Sequence, residues 1–289
     1  MKKYIFPLAL LAVAAFTSCE NAEQNFDDYE GGTSVYFPYQ YPVRTILLGG
    51  GVEYDNSLDN AHKFKVNAYG AGTYKDYSFT YSVAVDESLA AGVTNKAGKT
   101  LEVLPSSYYT LGSSTSTYGG NRMSGVEVQL TDAFFQDPKS LEQSYILPLR
   151  MSNVKGADKI TEGMDYTLYC VRFVNPWEGY YLVKGTASEV EKCTIVQTVT
   201  KSLTSCQYTN VDGVTMTLSF GSEKDNNCTI SGGAQGTGTF TTGGEKLAWG
   251  NKDRDALYLK YTAGGKSYDE TLILQRRGDF AGTVVVFKD

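Results

Sequence analysis

From Ser34 onward, apolar side chains recur at every second position in short runs such as HKFKVNAYG, YSFTYSVAVD, GVEVQL and VTMTLSF. A period of two belongs to strands with one covered face. No stretch carries the i, i+3, i+4, i+7 spacing that a long amphipathic helix needs. GG, DG and polar turns separate the runs, and the 30 glycines and 22 tyrosines suit short strands joined tightly. The chain is therefore expected to be all-β, with one exception: LTDAFFQD reads as a single helical turn capped by Asp132.

Two domains fit 289 residues. Residues 34–176 read as an antiparallel, immunoglobulin-like β-sandwich. Residues 177–289 read as a meander that covers its edges by closing into a small antiparallel β-barrel. Its expected strands include KLAWG (246–250) and GTVVVFKD (282–289). VNPWEG is the expected junction, with Trp177 packing between the domains. Phe134 and Phe135 are expected in the core, together with one of Tyr108 and Tyr109.

Residues 1–18 have a basic start, Lys2 and Lys3, and an apolar stretch from Tyr4 to Phe16 that is short for a membrane span. Thr17 and Ser18 precede Cys19. This pattern resembles a bacterial lipoprotein signal peptide, in which Cys19 is lipidated and becomes the new N-terminus. An ordinary secretory signal with an incidental cysteine is the alternative. Residues 19–33 carry Glu20, Glu23, Asp27, Asp28 and Glu30 without apolar periodicity and read as an acidic tether.

Removing residues 1–18 takes the net charge from -6 to -8, because Lys2 and Lys3 go with it. An acidic chain is a poor match for nucleic acid, whose phosphates need a basic face. The single histidine, His62, excludes a multi-histidine metal centre. No C-x-x-C pair occurs, so zinc knuckles and thioredoxin chemistry have no support. Cys193 and Cys206 flank a stretch that a hairpin would fold back on itself; a disulfide and unpaired buried cysteines are both open. No metal or other cofactor is indicated.

In WGNKDRDALY, Asn251, Asp253 and Asp255 alternate as in a calcium loop. Ala256 and Thr262 stand where such a loop needs glycine and a bidentate glutamate, so a polar hairpin loop is favoured. SGGAQGTG (231–238) lacks the following helix that phosphate binding uses and reads as a turn. Sugar binding needs a flat aromatic face with polar groups around the rim hydroxyls. Trp249 is the leading candidate, with Asn251, Asp253, Arg254 and Tyr258 beside it; the other reading has Trp249 plugging the barrel. Tyr118, Asn121 and Arg122 form a second candidate group in a polar loop.

VYFPYQYPVRTILLG (35–49), DNSLDNAHKFKV (55–66), LPSSYYTL (104–111), GVEVQLTDAFFQDPKSL (125–141), YILPLRM (145–151) and YTLYCVRFVNPWEGYYL (166–182) resemble an uncharacterised β-sandwich domain of Bacteroidetes surface lipoproteins. That domain also precedes the catalytic barrel of some family 18 endo-β-N-acetylglucosaminidases. The C-terminal region resembles lipocalin-like β-domains. The resemblance implies a lipid-anchored outer-membrane protein, facing the exterior and serving a glycan-uptake system. Its partners there would be an oligosaccharide ligand and a neighbouring transporter, lid protein or endoglycosidase. The D-x-x-D-x-D-x-E signature of family 18 catalysis is absent from the sequence. The expected role is capture of oligosaccharides, N-glycans among them, without cleavage. A docking subunit with no sugar site, and a hydrolase using an unrecognised carboxylate pair, are the alternatives.

Overall fold

A computed structural model describes residues 29–48, 62–73, 77–113, 115–119, 123–187, 190–247, 250–277 and 285–286. The alternating runs become strands, as their periodicity requires. In the N-terminal half these are β1 (Ser34–Tyr36), β2 (Arg44–Leu48), β3 (Lys63–Ala71), β4 (Ser78–Val85), β5 (Val93–Thr94), β6 (Glu102–Val103), β7 (Tyr109–Leu111), β8 (Thr115–Gly119), β9 (Met123–Leu130), β10 (Tyr145–Lys155), β11 (Lys159–Ile160) and β12 (Tyr166–Phe173). One sheet has the order β11-β1-β3-β9-β7 and faces another of order β2-β12-β10-β4-β8, with β6 added to β10.

The two sheets enclose one core, to which Phe64, Val66 and Val128 contribute from one side and Tyr81, Leu147 and Val171 from the other. Each large apolar side chain buried there contributes about 1.5–3 kcal/mol. YILPL and YTLYCV lack clean alternation because both faces of β10 and β12 are covered. Ile146, Leu168 and Cys170 point away from the main core and pack under Ala90, Val93 and Leu101. The sandwich is mixed rather than antiparallel throughout: β1–β11, β2–β12 and β6–β10 pair in parallel. The helical turn α1 (Asp132–Gln136) forms where expected, but Thr131 occupies its N-cap and Asp132 its first turn. Phe134 and Phe135 are buried beneath it.

The second half is a closed barrel of β13 (Gly179–Ala187), β14 (Val190–Ser202), β15 (Ser205–Thr209), β16 (Thr215–Phe220), β17 (Asn227–Gly232), β18 (Gln235–Lys246), β19 (Asp253–Ala263) and β20 (Lys266–Arg276). SGGAQGTG makes the β17–β18 turn, with Gly232 at φ 92°. Of the strand expected over 246–250, Lys246 ends β18 and Leu247 lies outside it, while residues 248–249 are outside the described residues. The final strand, β21 (Val285–Val286), pairs with β5 rather than with the barrel.

Trp177 departs from its expected place between the domains. It is 1% exposed and lies within the barrel core, its ring stacked on Phe220 at 3.5 Å and 3°. Tyr181 donates its hydroxyl to the Trp177 carbonyl at 2.9 Å, and the Thr198 hydroxyl donates to the same oxygen at 2.5 Å. The junction is held by other residues. Asn175 Nδ2 donates to the carbonyls of Ser202 (3.2 Å) and Ser205 (2.7 Å), and His62 Nε2 lies 2.8 Å from Glu223 Oε2.

The hairpin does not join Cys193 to Cys206. Cys206 is a free, buried thiol in β15 opposite Thr200, while Cys193 lies seven residues away along β14, opposite Lys184. At about 3.3 Å per residue that separation is more than 20 Å, far beyond disulfide reach. Cys170 and Cys228 are also free and buried, and burial pushes each thiol up to about 12.

Candidate functional site

Cys19, Asn121, Arg122 and Trp249 lie outside the described residues, as does the side chain of Tyr118 in β8. Asn251 is exposed in the β18–β19 connection. Asp253 is exposed at the start of β19, 3.4 Å from Lys246 Nζ. Arg254 and Tyr258 are half-buried on the same face of β19, alternating with core residues Leu257 and Leu259. Tyr258 donates to the Gly244 carbonyl or to Glu245 Oε1, both at 3.1 Å, which ties it to the β18–β19 connection. Arg254 Nη1 donates to the Gln275 carbonyl at 3.1 Å. Asp255 accepts from the Gly243 amide at 3.1 Å and stands 3.3 Å from Arg277 Nη2. That carboxylate therefore serves the hairpin and an arginine instead of facing a calcium position with Asn251 and Asp253.

A second aromatic group comes together on the sandwich. Tyr39 and Tyr41, on the β1–β2 loop, are 44% and 40% exposed. Few large apolar or aromatic side chains of the described residues are as open as these. The loop carrying them is pinned to β12. Gln40 Nε2 donates to the carbonyls of Phe37 (2.6 Å) and Tyr166 (3.1 Å), and the Thr167 hydroxyl donates to the Tyr39 carbonyl at 2.6 Å.

Polar groups border these rings. The Arg44 guanidinium lies 4.9 Å from the centre of the Tyr39 ring. Tyr41 meets the half-buried Tyr166 edge to face at 6.1 Å, and Arg150 lies 5.9 Å from the Tyr166 ring centre. Arg150 donates its Nε to Asp86 at 2.6 Å and its Nη1 to Asp165. Hydrogen bonds from Ser88 and Arg150 hold the Asp86 carboxyl below its usual range. Partial burial, with Tyr166 alongside, raises the Tyr41 phenol. The result is a ledge of two exposed tyrosines, Tyr39 beside the Arg44 guanidinium and Tyr41 against Tyr166, beyond which lies Arg150 with its carboxylate partners Asp86 and Asp165.

The barrel interior holds a different cluster. Glu270 is 2% exposed, and its Oε2 accepts from the Tyr208 (2.9 Å) and Tyr261 (2.7 Å) hydroxyls. Its Oε1 is buried without a hydrogen-bond partner. Asn210 Nδ2 donates to the Tyr261 hydroxyl at 3.0 Å, and Tyr268 stacks on Tyr261 at 4.7 Å while donating to Asp212 at 3.0 Å. Burial raises the Glu270 carboxyl despite the two phenols that stabilise its charge.

Comparison with known proteins gives the family. A family model described as an N-terminal domain matches residues 28–158, and one described as a domain of unknown function (DUF5627) matches residues 180–278. A crystal structure of a Bacteroides ovatus protein of unknown function is 34% identical, covers 91% of this chain and 100% of that one, and superposes with a TM-score of 0.73. The chain belongs to that family. The chain thus fits the Bacteroidetes domain family that its sequence motifs resemble. More distant is an auxiliary nutrient binding protein of Bacteroides thetaiotaomicron: 12% identity, 80% of this chain and 89% of that one, TM-score 0.43. A Bacteroides ovatus protein named for carbohydrate binding has 16% identity, 88% and 78% coverage, and a TM-score of 0.31. No curated protein matches the chain.

The candidate residues that the sequence reading passed over are Tyr39 and Tyr41. SVYFPYQ looked like one strand, yet Pro38 and Pro42 bracket the pair, and β1 ends at Tyr36. Proline on both sides of two alternate tyrosines marks an exposed loop rather than a paired strand. Glu270 also had a signal, for it falls in register with Tyr268, Leu272 and Leu274 on the covered face of SYDETLILQ.

Proposed function

We propose that this protein captures glycans at the cell surface without cleaving them, held to the outer membrane by a lipid on Cys19. The observation that carries the reading is the Tyr39–Tyr41 ledge. Two phenol rings offer apolar faces to the C–H side of a sugar ring. Arginine and carboxylate groups beside them supply donors and acceptors for the hydroxyls. A loop already pinned to β12 loses little entropy on binding. The acidic tether of residues 19–33 gives reach, and many copies on one membrane turn weak single-site affinity into avidity.

A second reading adds docking. Ile195 is 54% exposed and Val199 38%, on one face of β14, with Leu182 paired across from Ile195. Exposed aliphatic groups on a barrel wall suit a protein neighbour better than a sugar. A transporter, lid protein or endoglycosidase of the same uptake system is the proposed neighbour.

A glycan array that includes N-glycans, probed with the full chain and with its Tyr39→Ala/Tyr41→Ala variant, tests the reading. The full chain is expected to retain at least one glycan class, and the variant to bind it at least about tenfold more weakly, about 1.4 kcal/mol. Retention of nothing across plant and mammalian glycans would overturn capture. Equal retention by the variant would overturn the ledge.

A further inference from the structure

We infer that the cleft between sandwich and barrel is a second ligand site, which takes one or two rings of a neutral sugar and touches both domains at once. The inference rests on the glycan-capture reading for its ligand class but on a different part of the molecule for its evidence. The cleft has a volume of about 480 Å³. That falls within the ~300–1,000 Å³ usual for small-molecule sites, room for a short saccharide.

Its lining divides by chemistry. Phe135, Phe173, Leu141 and Leu203 provide apolar wall, while Asp132, Gln136, Lys201 and Thr204 provide polar groups. Phe135 and Phe173 belong to the sandwich core, and Leu203, from the β14–β15 turn, packs against that core. A sugar ring has the same two-sided character: C–H groups on its faces and hydroxyls around its rim. Asp132 and Asp137 line the sandwich side and Lys201 the barrel side; both Asp137 oxygens are engaged by Tyr108, Tyr145 and the Lys139 amide, which leaves Asp132 and Lys201, of opposite charge, to meet a ligand of neither sign. The amide of Gln136 both donates and accepts, as hydroxyl groups require.

Both walls are held in place before any ligand arrives. On the sandwich side, Asp137 Oδ1 accepts from the Lys139 amide at 2.9 Å and caps the turn of Pro138–Leu141. Its Oδ2 accepts the hydroxyls of Tyr108 (3.1 Å) and Tyr145. On the barrel side, the hydroxyls of Ser202 and Ser205 are 2.6 Å apart, and both carbonyls accept from Asn175. Two prearranged walls from separate domains mean that a bound saccharide bridges them. Binding at the cleft therefore also strengthens the contact between sandwich and barrel, by simple linkage.

Amide NMR of the isotope-labelled full chain, titrated with a panel of neutral mono- and disaccharides (glucose, galactose, mannose, N-acetylglucosamine and their β-linked dimers), tests the site. The expected result is saturable shifts at Gln136, Leu203 and Thr204 for at least one sugar. Leu203→Trp, which fills the cleft, and Gln136→Ala, an exposed truncation, are expected to weaken those shifts at least tenfold; a thermal unfolding midpoint within a few degrees of the parent shows that each variant is folded. Shifts confined to Tyr39, Gln40 and Tyr41 would overturn the cleft and leave the ledge standing. Cleft shifts that survive Leu203→Trp and Gln136→Ala unchanged would overturn it as well. No saturable shift at either place would overturn the cleft and count against glycan capture too.

Discussion

Replacing Trp177 with alanine separates two accounts of the junction. With 1% of its surface exposed, the indole loses essentially all of its burial on truncation. Trp→Ala in a core costs about 3–5 kcal/mol through lost transfer free energy and the cavity left behind. Truncation also uncovers the face of Phe220 on which the indole stacks at 3.5 Å, which places the cost at the upper end of that range. The cost is about 5 kcal/mol, and it falls on the barrel because the indole stacks on Phe220 and belongs to the barrel's core cluster. With a urea m-value of about 2 kcal/mol/M, the barrel midpoint should drop by about 2.5 M. Hydrogen exchange followed by mass spectrometry in rising urea reads the domains separately. Peptides from β13–β20 should lose protection early, while those from β3, β9 and β10 keep theirs. A barrel shift below about 0.5 M, with a loosened junction instead, would refute the placement of Trp177 in the barrel.

Three further outcomes follow from the same structure. Glu270→Gln should favour the barrel more at pH 8 than at pH 4, because at pH 8 it removes a buried charge with an unpartnered oxygen. The folded carboxyl is raised above its unfolded value of about 4.3, so the parent loses stability as pH rises through the folded value; urea unfolding at pH 4 should therefore show almost no gain for the variant. Asp137→Ala removes the carboxylate that accepts from both the Tyr108 and Tyr145 hydroxyls and should cost the sandwich about 2–3 kcal/mol by thermal or urea unfolding. Burial alone would raise this carboxyl, but the Tyr145 and Tyr108 hydroxyls and the Lys139 amide hold it below its usual range, so in the parent its contribution is lost as pH falls below the ordinary carboxylate range and is retained above it. Cys19→Ala should move the protein from the membrane fraction to the soluble one, and a variant that stays with the membrane would contradict the lipid anchor.

Strand placement was legible because period two reports directly on which face is covered. β3 and β16 show it cleanly, with buried residues at alternate positions. β10 was harder, since YILPL is buried on both faces by elements distant in sequence. Parallel pairing of β1 with β11 and of β2 with β12 was not legible, because side-chain alternation is the same in either direction. Trp177 was misread for a related reason. Pro176 and the domain junction lie beside it in sequence, but its partner Phe220 is brought in by barrel closure, which leaves no local trace. Of the candidate residues, Arg254 and Tyr258 showed the right chemistry, yet sequence could not tell that their polar groups are engaged by Gln275 and by the β18–β19 connection. Exposure set Tyr39 and Tyr41 apart from the other described tyrosines of the two domains, Tyr29 ahead of β1 being more open still, and exposure is a property of the packed chain.

Capture without cleavage is tested most directly by passing a mixture of released N-glycans and plant oligosaccharides over the immobilised full chain, then weighing what elutes by mass spectrometry. The account predicts that a subset is retained, elutes at its original mass after prolonged contact, and is no longer retained by the Tyr39→Ala/Tyr41→Ala variant. Shortened products in the eluate, or no retention at all, would contradict it.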